Sequence, residues 1–536
     1  MLTYNVDRAT VEISVGELCR LSLMSGDLDR TLFRAGAWRL REGSSLHSML
    51  QEAAGPDYRA EVPLIHATVY DGLHFTVTGR ADGMIERRNG GRLWVEEIKS
   101  VGGGAFYMPP PEVYTAQLKC YAHFLCAARG LEEIDTCLTY IHLGTHELRR
   151  MERTERAADL AAYFESLLRR IAPRARLAVE RAEQIPDTLR ALPFPYPTLR
   201  PGQEELIHTC RRAIRTGRRL FAQAPTGIGK TMSVLYPAVR ALGDGLCDKI
   251  FYLTAKASTS TEAFRAARRL HENGARMRTV VLTAKEQICL CPAVREEGRK
   301  VSDCCNSVDC PYSAGYYDRA DIALKDLLAQ AHGYSRSLIV EVAKRHRVCP
   351  YELSLDVSEL CELIICDYNY VFDPTVRLRR YFGMEAPEGQ KYVFLIDEAH
   401  NLPDRARDIY SATISRNLFE QVYAVLPREE ELNTVFEELI LTLRGMKRLC
   451  RDTLTTDADG QESGYYLTRA PIPQLAERVR VLYDACSDWI RKCRQHPLRP
   501  QVESAADAAR EFLAIAEVYD ERFLTYVQIL DGDTTV

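Results

Sequence analysis

A segment near the middle of the chain has the residue types that bind a nucleoside triphosphate. It reads APTGIGKT over residues 224–231. Gly227 and Gly229 allow backbone N–H groups to close around phosphate, and the Lys230 ammonium can reach the outer phosphate oxygens. The Thr231 hydroxyl can bind Mg²⁺. Alanine occupies the first position of the pattern, where glycine is usual. The sequence therefore predicts an ATP-binding loop formed by Ala224, Pro225, Thr226, Gly227, Ile228, Gly229, Lys230 and Thr231.

An acidic segment further along the chain supplies the second half of this chemistry. Residues 392–400, YVFLIDEAH, predict a buried strand that ends in acidic residues. Asp397 can hold Mg²⁺ through water, and Glu398 can orient and deprotonate an attacking water molecule. The predicted catalytic set for ATP hydrolysis is Lys230, Thr231, Asp397, Glu398 and His400.

A third group of such residues lies near the start of the chain. Glu97 and Lys99 are two apart in a predicted strand, so both side chains face the same side, and Asp82 follows the preceding strand. Two carboxylates and a histidine suit a hard divalent cation, Mg²⁺ or Mn²⁺, and Lys99 can polarise water or steady a phosphate. The predicted set is His47, Asp82, Glu97, Lys99, Gln117 and Tyr121, the last two sharing one face of a predicted helix.

The cysteines are the fourth feature with chemical potential. Of the 17 cysteines, eight lie between Cys289 and Cys366. Such clustering in a reducing compartment favours metal or cluster ligation over disulfides. A structural zinc site with four thiolates remains an alternative, although the gaps between these cysteines are wider than the usual zinc-ligand pairs.

Composition restricts the class of protein. The chain has 536 residues with a net charge of −4, which excludes a generally basic nucleic-acid binder but permits local basic faces. No apolar run approaches the roughly 18 residues needed to cross a bilayer. The start of the chain has no apolar signal-type core. We therefore expect a cytoplasmic protein with no membrane partner.

The chemistry requires elements that bring these residues together. Residues 73–79 and 92–99 alternate like half-buried strands, and residues 111–128 predict a helix. The proline-rich segment LPFPYPTLRPGQ then marks a domain entry. Beyond it, helical stretches separate five predicted strands, which indicates an α/β fold with a doubly wound parallel sheet. These strands are RLFAQA, KIFYLTA, TVVLTA, LIICD and YVFLIDE.

Four motifs resemble the first motor domain of superfamily 2 DNA helicases of the XPD/DinG group. They are APTGIGKT, FYLTAKAST (251–259), DYNYVFDP (367–374) and LIDEAHNL (395–402). The resemblance implies that Gln203, in LRPGQ, contacts adenine. It also implies a [4Fe–4S] cluster in the insertion before the acidic segment. By family register, the resemblance implies that the cluster ligands are Cys289, Cys305, Cys310 and Cys349. It leaves open whether Cys304 is the ligand in place of Cys305, and whether Cys291 is the ligand in place of Cys289.

The N-terminal group resembles the PD-(D/E)XK nucleases of the RecB type over about residues 15 to 130. That likeness includes the additional histidine and the Gln117-x3-Tyr121 spacing. It implies a nuclease fold with a metal-dependent DNA-cutting site. Such domains also survive as DNA-binding clamps without cleavage.

The two resemblances imply five regions. We expect a RecB-like domain at 1–170, a helical linker at 171–199, and a RecA-like motor domain at 200–285 and 351–403. An iron–sulfur insertion is expected at 286–350 and a mainly helical arch-like segment at 404–536. No arginine-finger motif follows residue 403. We therefore expect the second motor domain to be absent from this chain and to lie on a longer protein.

These features together predict an ATP-dependent DNA helicase that acts on single-stranded or forked DNA during repair or processing. The family likeness implies 5′→3′ movement, and the N-terminal site adds a metal-dependent nuclease. The alternative is a clamp that binds ATP and DNA without processive unwinding, because a motor with one RecA-like domain is incomplete.

Overall fold

The computed structural model describes most of the chain. The described residues are 2–6, 8–28, 37–88, 91–101, 106–143, 145–225, 227–255, 257–296, 301, 305, 310–383, 389–427, 431–493 and 496–536. The side chains of residues 37–44, 257 and 491 are outside this description. Within these ranges no helix is both long enough and apolar enough to cross a membrane.

The N-terminal region is built on one mixed sheet. Its strands are β1 (Thr3–Asn5), β2 (Thr10–Ser14), β3 (Tyr58–Tyr70), β4 (Leu73–Arg88), β5 (Arg92–Val101), β6 (Glu133–His142) and β7 (Leu148–Arg156). They lie in the order β1-β2-β4-β5-β6-β7, with β3 antiparallel to β4. The predicted strands at 73–79 and 92–99 are confirmed, and both continue beyond the expected ends.

Helices cover this sheet and carry part of the site. They are α1 (Val15–Leu23), α2 (Ala37–Ala53), α3 (Glu112–Arg129) and α4 (Ala157–Arg190). The predicted helix at 111–128 is therefore confirmed. Helix α4 continues without a break across residue 170, where the N-terminal domain was expected to end. Its Phe164 packs into the N-terminal core, whereas Leu189 packs into the motor core. One helix thus belongs to both cores.

The motor region is a three-layer α/β structure. Its parallel sheet contains β8 (Lys249–Thr254), β9 (Thr279–Val281), β10 (Gly333–Tyr334), β11 (Leu363–Asp367) and β12 (Tyr392–Ile396), in the order β10-β9-β11-β8-β12. Phe251 and Leu253 face one buried layer, whereas Ile250 and Tyr252 face the other. Burial on both faces explains why β8 and β11 read as continuous apolar runs.

Helices form both outer layers of the motor region. They are α5 (Gln203–Arg215), α6 (Lys230–Gly243), α7 (Ala257–Glu272), α8 (Lys285–Ile288), α9 (Pro292–Arg295), α10 (Tyr316–Gln330), α11 (Arg336–His346), α12 (Pro350–Glu359), α13 (Asn369–Phe372) and α14 (Arg379–Phe382). The strand β10 lies inside the expected insertion at 286–350 but pairs with β9. Part of the insertion is therefore integral to the motor sheet.

The prediction of a strand at RLFAQA (219–224) is wrong. The segment has no regular structure, and the side chains of Leu220 and Phe221 are 39% and 89% exposed. The segment buries little of its apolar surface. The burial that stabilises a paired apolar strand is therefore missing. The other four predicted strands are confirmed as β8, β9, β11 and β12.

The C-terminal region has its own core. Its helices are α16 (Arg416–Val425), α17 (Leu432–Gly445), α18 (Pro473–Lys492) and α19 (Arg499–Ala516), whereas the preceding α15 (Leu402–Ile409) packs through Leu402 against the motor core. Short antiparallel strands pack with them, namely β13 (Thr455–Thr456), β14 (Glu462–Thr468), β15 (Thr525–Leu530) and β16 (Asp533–Thr535). The expectation of a mainly helical segment is correct, but it missed this sheet.

A buried ion pair joins α4 to the motor sheet. Arg181 of α4 contacts the Glu362 carboxylate, and the two side chains are 16% and 10% exposed. Because removing one partner leaves a buried charge uncompensated, Arg181→Leu should lower the free energy of unfolding by about 3 kcal/mol.

Thermal unfolding checks this prediction, with Arg176→Leu on the same helix as the matched control. Arg176 pairs with Asp71 at the surface, where both side chains are 53% exposed. An exposed pair contributes less than about 1 kcal/mol. Equal losses in the two variants would contradict the role given to the buried pair.

Candidate active sites

The predicted phosphate-binding loop leads into helix α6. Gly229 caps this helix with φ of +81°, and Gly227 has φ of +87°, conformations that glycine adopts without strain. Lys230 is the first helical residue, and its Nζ donates to the Ala224 carbonyl at 3.3 Å. Helix α6 thus presents its N-terminus, which favours anions, where phosphate is expected. Ile228 is buried, Pro225 is exposed and Thr226 lies outside the described residues.

The acidic segment meets this loop at the carboxyl end of β12. Tyr252, on the neighbouring strand β8, makes side-chain hydrogen bonds with both Thr231 and Asp397. Burial raises the pKa of Asp397, and the adjacent Glu398 raises it further, whereas the Lys230 ammonium lowers it. The structure therefore assembles the lysine, the threonine and the acid at one place.

The backbone around the acids is held firmly. The Tyr368 hydroxyl donates to the main-chain oxygens of Asp397 and Glu398, the latter at 3.2 Å. Glu398 has φ of +50°, an uncommon conformation for a residue with a side chain. Its carboxylate Oε2 lies 3.3 Å from Nδ1 of His400. Tyr252 and Tyr368 are residues that sequence reasoning missed, because a tyrosine in or beside an apolar strand carries no motif.

Gln203 lies beside the loop, at the start of α5. Its side chain is 3% exposed, and its Oε1 accepts from the backbone N–H of Arg200 at 3.0 Å. Its Nε2 is 3.0 Å from the position that a Cβ on Gly229 would occupy. Arg200 in turn donates to the Gly227 carbonyl. Gln203 is thus packed against the phosphate-binding loop, and its contact with adenine stays a prediction.

The N-terminal set converges on one face of the N-terminal sheet. The Lys99 ammonium lies 2.6 Å from Oε1 of Glu97, and the backbone N–H of Ile98 donates to Oδ2 of Asp82 at 2.6 Å. Asp82 of β4 is thereby held against β5. His47 of α2 lies close enough to Asp82 and Lys99 for their charges to act on its imidazole ring. The helix, the two strands and the sheet register together create this cluster.

Helix α3 closes the cluster from the other side. Tyr121 is buried beside both acids, and burial followed by the Glu97 charge raises the pKa of its hydroxyl. A Cβ on Gly79 would come within 2.5 Å of the Tyr121 ring, so glycine is required there. Gln117 lies one turn earlier on α3 and is half-buried. All six predicted residues therefore occupy this region of the fold.

Two buried side-chain oxygens in this region accept no hydrogen bond from the described residues. Oε2 of Glu97 and Oε1 of Gln117 are buried and lack a hydrogen-bond partner among the described residues. Burial raises the pKa of Glu97 to about 7. A buried acceptor without a donor is costly unless a ligand or water completes it. Carboxylate and amide oxygens are the ligand types that a hard divalent cation takes, although no described group of three histidine, cysteine or acidic side chains is placed here to hold a metal ion.

Glu61 is a site residue that the sequence did not reveal. The β3–β4 pairing includes Ala60 with Gly83 and Val62 with Ala81, but not Glu61 with Asp82. Glu61 has φ of +54°, and its charge adds to burial in raising the pKa of Asp82. Its Oε2 lies 2.7 Å from Nε of Arg80. A single glutamate in a strand forms no recognisable sequence motif. Only the irregular pairing of β3 with β4 brings Glu61 close to Asp82.

Five cysteines line one small cavity. Its volume is about 10 Å³, and its cysteines are Cys289, Cys291, Cys305, Cys310 and Cys349. The structure therefore brings together all four thiols assigned by family register and adds Cys291. The Cys291 N–H donates to Sγ of Cys289 at 3.4 Å, and the Cys291 and Cys310 thiols are hydrogen-bonded. Cys304 lies outside the described residues.

The surroundings of these thiols favour the neutral form at one cysteine and the charged form at another. Burial raises the pKa of Cys310 to about 12, so a thiolate there needs a metal to stabilise it. Cys349 caps the N-terminus of α12, a position that favours negative charge. Among the described histidine, cysteine and acidic side chains, no group of three is placed to hold a metal ion.

Comparisons with known proteins centre on the motor region. Residues 252–419 match the family model described as DEAD_2. The general transcription and DNA repair factor IIH helicase subunit XPD of Dictyostelium discoideum is 23% identical over 245 residues, covering 42% of this chain and 31% of the relative. The regulator of telomere elongation helicase 1 homolog of Drosophila melanogaster is 27% identical over 258 residues, covering 39% and 25%.

The chain spans about a third or less of the length of these curated relatives. A solved structure titled "Truncated XPD" is 18% identical, covering 62% of this chain and 86% of that one, with a TM-score of 0.39. The middle of the chain is thus similar in sequence to XPD-type superfamily 2 helicases.

Proposed function

We propose that this protein is an ATP-dependent DNA helicase of the XPD/DinG type. One observation carries the proposal. The Tyr252 hydroxyl is hydrogen-bonded to both Thr231 of the phosphate-binding loop and Asp397 of the acidic segment. The names of the similar proteins, which are helicases, support DNA as the partner and repair or processing as the setting. Movement in the 5′→3′ direction, forked or single-stranded DNA as substrate, and a cytoplasmic location remain part of the proposal.

We assign a role to each group at the ATP site. Backbone N–H groups at the start of α6 would bind the phosphates, and Lys230 would neutralise charge that develops on the transferred phosphoryl group. Thr231 and Asp397 would hold Mg²⁺, which supplies further charge neutralisation when bound. Glu398 would take a proton from the attacking water as the bond to the leaving phosphate breaks.

A comparison of ATP hydrolysis with and without single-stranded DNA tests the proposal. A helicase motor is expected to hydrolyse ATP faster when DNA is present, and to separate a forked duplex. DNA binding without turnover would instead favour the second candidate, a clamp that binds ATP and DNA without processive unwinding. Hydrolysis that is indifferent to DNA would overturn both.

We further propose that the cysteine cavity holds a [4Fe–4S] cluster. The supporting observation is the convergence of five thiols, four of them buried, around one cavity between α8 and α12. Such a cluster takes one thiolate for each iron, so its ligands surround it rather than meet at one point. Cys289, Cys305, Cys310 and Cys349 are the proposed ligands, and Cys291 competes with Cys289. When bound, the cluster would supply cross-links that stiffen this part of the motor region.

Serine substitution of a single cysteine tests the ligand set. Cys349→Ser should lose most of the iron and acid-labile sulfide of the anaerobically purified protein, because one of four ligands is removed. Cys361→Ser is the matched control, since Cys361 is fully buried beyond the opposite end of α12 and donates to the Val357 carbonyl. A purified protein that contains one zinc per chain and no iron would show that the cavity is a zinc site and not a cluster site.

For the N-terminal region we propose a metal-dependent DNA nuclease. Asp82 and Glu97 would hold Mg²⁺ or Mn²⁺ with help from His47, and the bound cation would lower the pKa of an attacking water. Lys99, held 2.6 Å from Glu97, would steady the phosphate as water attacks phosphorus and the bond to the leaving oxygen breaks. Gln117 and Tyr121 would position the acids. The unpartnered Glu97 and Gln117 oxygens support this proposal most directly.

A further inference from the structure

A short segment of the N-terminal region contacts the chain that leaves the cysteine cavity. The segment consists of residues 26–28, directly after helix α1, and we call it the strap. The chain that it contacts is residues 311–317, which lead from Cys310 into helix α10. The two segments are far apart in sequence, since Asp27 and Gly315 are separated by 288 positions.

Two carboxylates make reciprocal hydrogen bonds across this contact. Oδ1 of Asp27 accepts from the Gly315 N–H at 2.7 Å, and Oδ1 of Asp318 accepts from the Gly26 N–H at 2.9 Å. Gly315 caps the N-terminus of α10, so the Asp27 carboxylate lies where the helix favours negative charge. Hydrogen bonds to a charged acceptor are stronger than those between neutral groups. These two bonds therefore fix both backbones at the contact.

Backbone hydrogen bonds and an apolar contact complete the attachment. The Leu28 N–H donates to the Ser313 carbonyl at 3.0 Å, and the Tyr317 N–H donates to the Gly26 carbonyl at 3.1 Å. The Leu28 side chain packs against the motor core. Ser313 lines the cysteine cavity, and its N–H donates to the Cys310 carbonyl at 3.0 Å. The strap is thus bonded to the wall of the cavity.

Helix α1 anchors the strap in the N-terminal region. Leu18 of this helix is fully buried in the N-terminal core. The Ser22 hydroxyl donates to the Leu167 carbonyl of α4 at 3.1 Å. At the other end of α1, a Cβ on Gly16 would lie 3.4 Å from Nε2 of Gln117. Helix α1 therefore connects the strap to the Gln117 side of the N-terminal site.

We propose that the strap holds the Cys310 side of the cavity in place, and that it couples metal loading of the cavity to the order of α1. Cys310 can keep its place around a bound group only while the chain that carries it is fixed. The strap fixes this chain from the N-terminal region, so releasing the strap should loosen the cavity. Because coupling between two sites is reciprocal, loading of the cavity should in turn stabilise α1. The inference rests on the proposed cluster in the cysteine cavity.

Release of iron to a chelator from the anaerobically purified full chain tests the strap. The test variants are Asp27→Ala and Asp318→Ala. Each should release iron about tenfold faster than the parent protein, because one hydrogen bond to a charged acceptor is lost. Asp27→Asn should release iron at close to the parent rate, since its amide keeps an oxygen that can accept from Gly315. The decay of the visible absorbance of the iron–sulfur group measures the release.

The matched control is Asp321→Ala on the same helix. The Asp321 carboxylate also contacts the N-terminal region, but its partner there is the Arg174 side chain of α4 and not the strap. Asp321→Ala should keep the parent rate of iron release. Equal acceleration in Asp321→Ala and Asp27→Ala would overturn the role of the strap, as would parent rates in both strap variants.

Hydrogen exchange of residues 15–28 tests the coupling without reference to activity. These amides should exchange more slowly in the iron-loaded protein than in the chelator-treated protein. The difference should disappear when Asp27→Ala and Asp318→Ala are combined. Exchange that is the same with and without iron would overturn the coupling. A parent protein without bound iron would overturn the proposed cluster and this inference with it, whereas strap variants that keep their iron as well as the parent would overturn the strap alone.

Discussion

Replacing Lys230 by alanine is expected to reduce DNA-stimulated ATP hydrolysis by at least about a hundredfold, because a preorganised cation near the transferred phosphoryl group is lost. Lys230 begins α6, and its charge already acts on Asp397. The measurement is the steady-state rate of phosphate release at saturating single-stranded DNA. Lys391→Ala is the control, since this exposed lysine precedes β12 at the end opposite Asp397.

Glu398→Gln separates chemistry from binding in the same assay. The amide can still orient water but cannot take its proton, so turnover should fall while nucleotide affinity remains near that of the parent protein. Tyr252→Phe should give an intermediate loss of about tenfold, because one hydroxyl bridge is removed and the charged groups remain. A Lys230→Ala protein that hydrolyses ATP at the parent rate would eliminate this site as the source of turnover.

The second large effect is expected at Asp82. Asp82→Ala should lower Mn²⁺-dependent cutting of single-stranded DNA by about a thousandfold, because one of the two carboxylates proposed to hold the cation is lost. The backbone N–H of Ile98 fixes this carboxylate at 2.6 Å, so its position is defined before any metal binds. The measurement is cleavage of an end-labelled oligonucleotide with and without a chelator.

Glu96→Gln provides the control for this experiment. Glu96 neighbours Glu97 on β5 and is 4% exposed, but its carboxylate accepts from the Tyr58 hydroxyl at 2.8 Å and from Thr139. Alternate strand residues face opposite sides, so Glu96 should not contact the cation. Cutting that persists in Asp82→Ala would remove the nuclease assignment. Chelator-sensitive DNA binding without cutting would favour a clamp.

Much of the fold follows from local sequence patterns. The apolar runs at 249–254 and 363–367 become parallel strands because both of their faces are buried in the motor sheet, and the run at 392–396 pairs with the first of them while only partly buried. The segment 219–224 has a similar pattern but remains outside that sheet, with Phe221 89% exposed. The sheet formed by β13–β16 was not predicted. Its strands have only two to seven residues, too few to stand out in sequence beside the long helices of this region.

The sequence by itself determined which residue types could do chemistry: the glycines and lysine of the phosphate-binding loop, the paired acids, and the clustered cysteines. These follow from short spacings, which a chain displays without being folded. Only the tertiary structure decided which distant groups meet. Tyr252 joins Thr231 to Asp397, Glu61 joins the Asp82 cluster, and Cys291 enters the cavity that Cys349 closes. Sheet register and helix packing set those contacts, because they depend on side chains far apart in sequence being buried together.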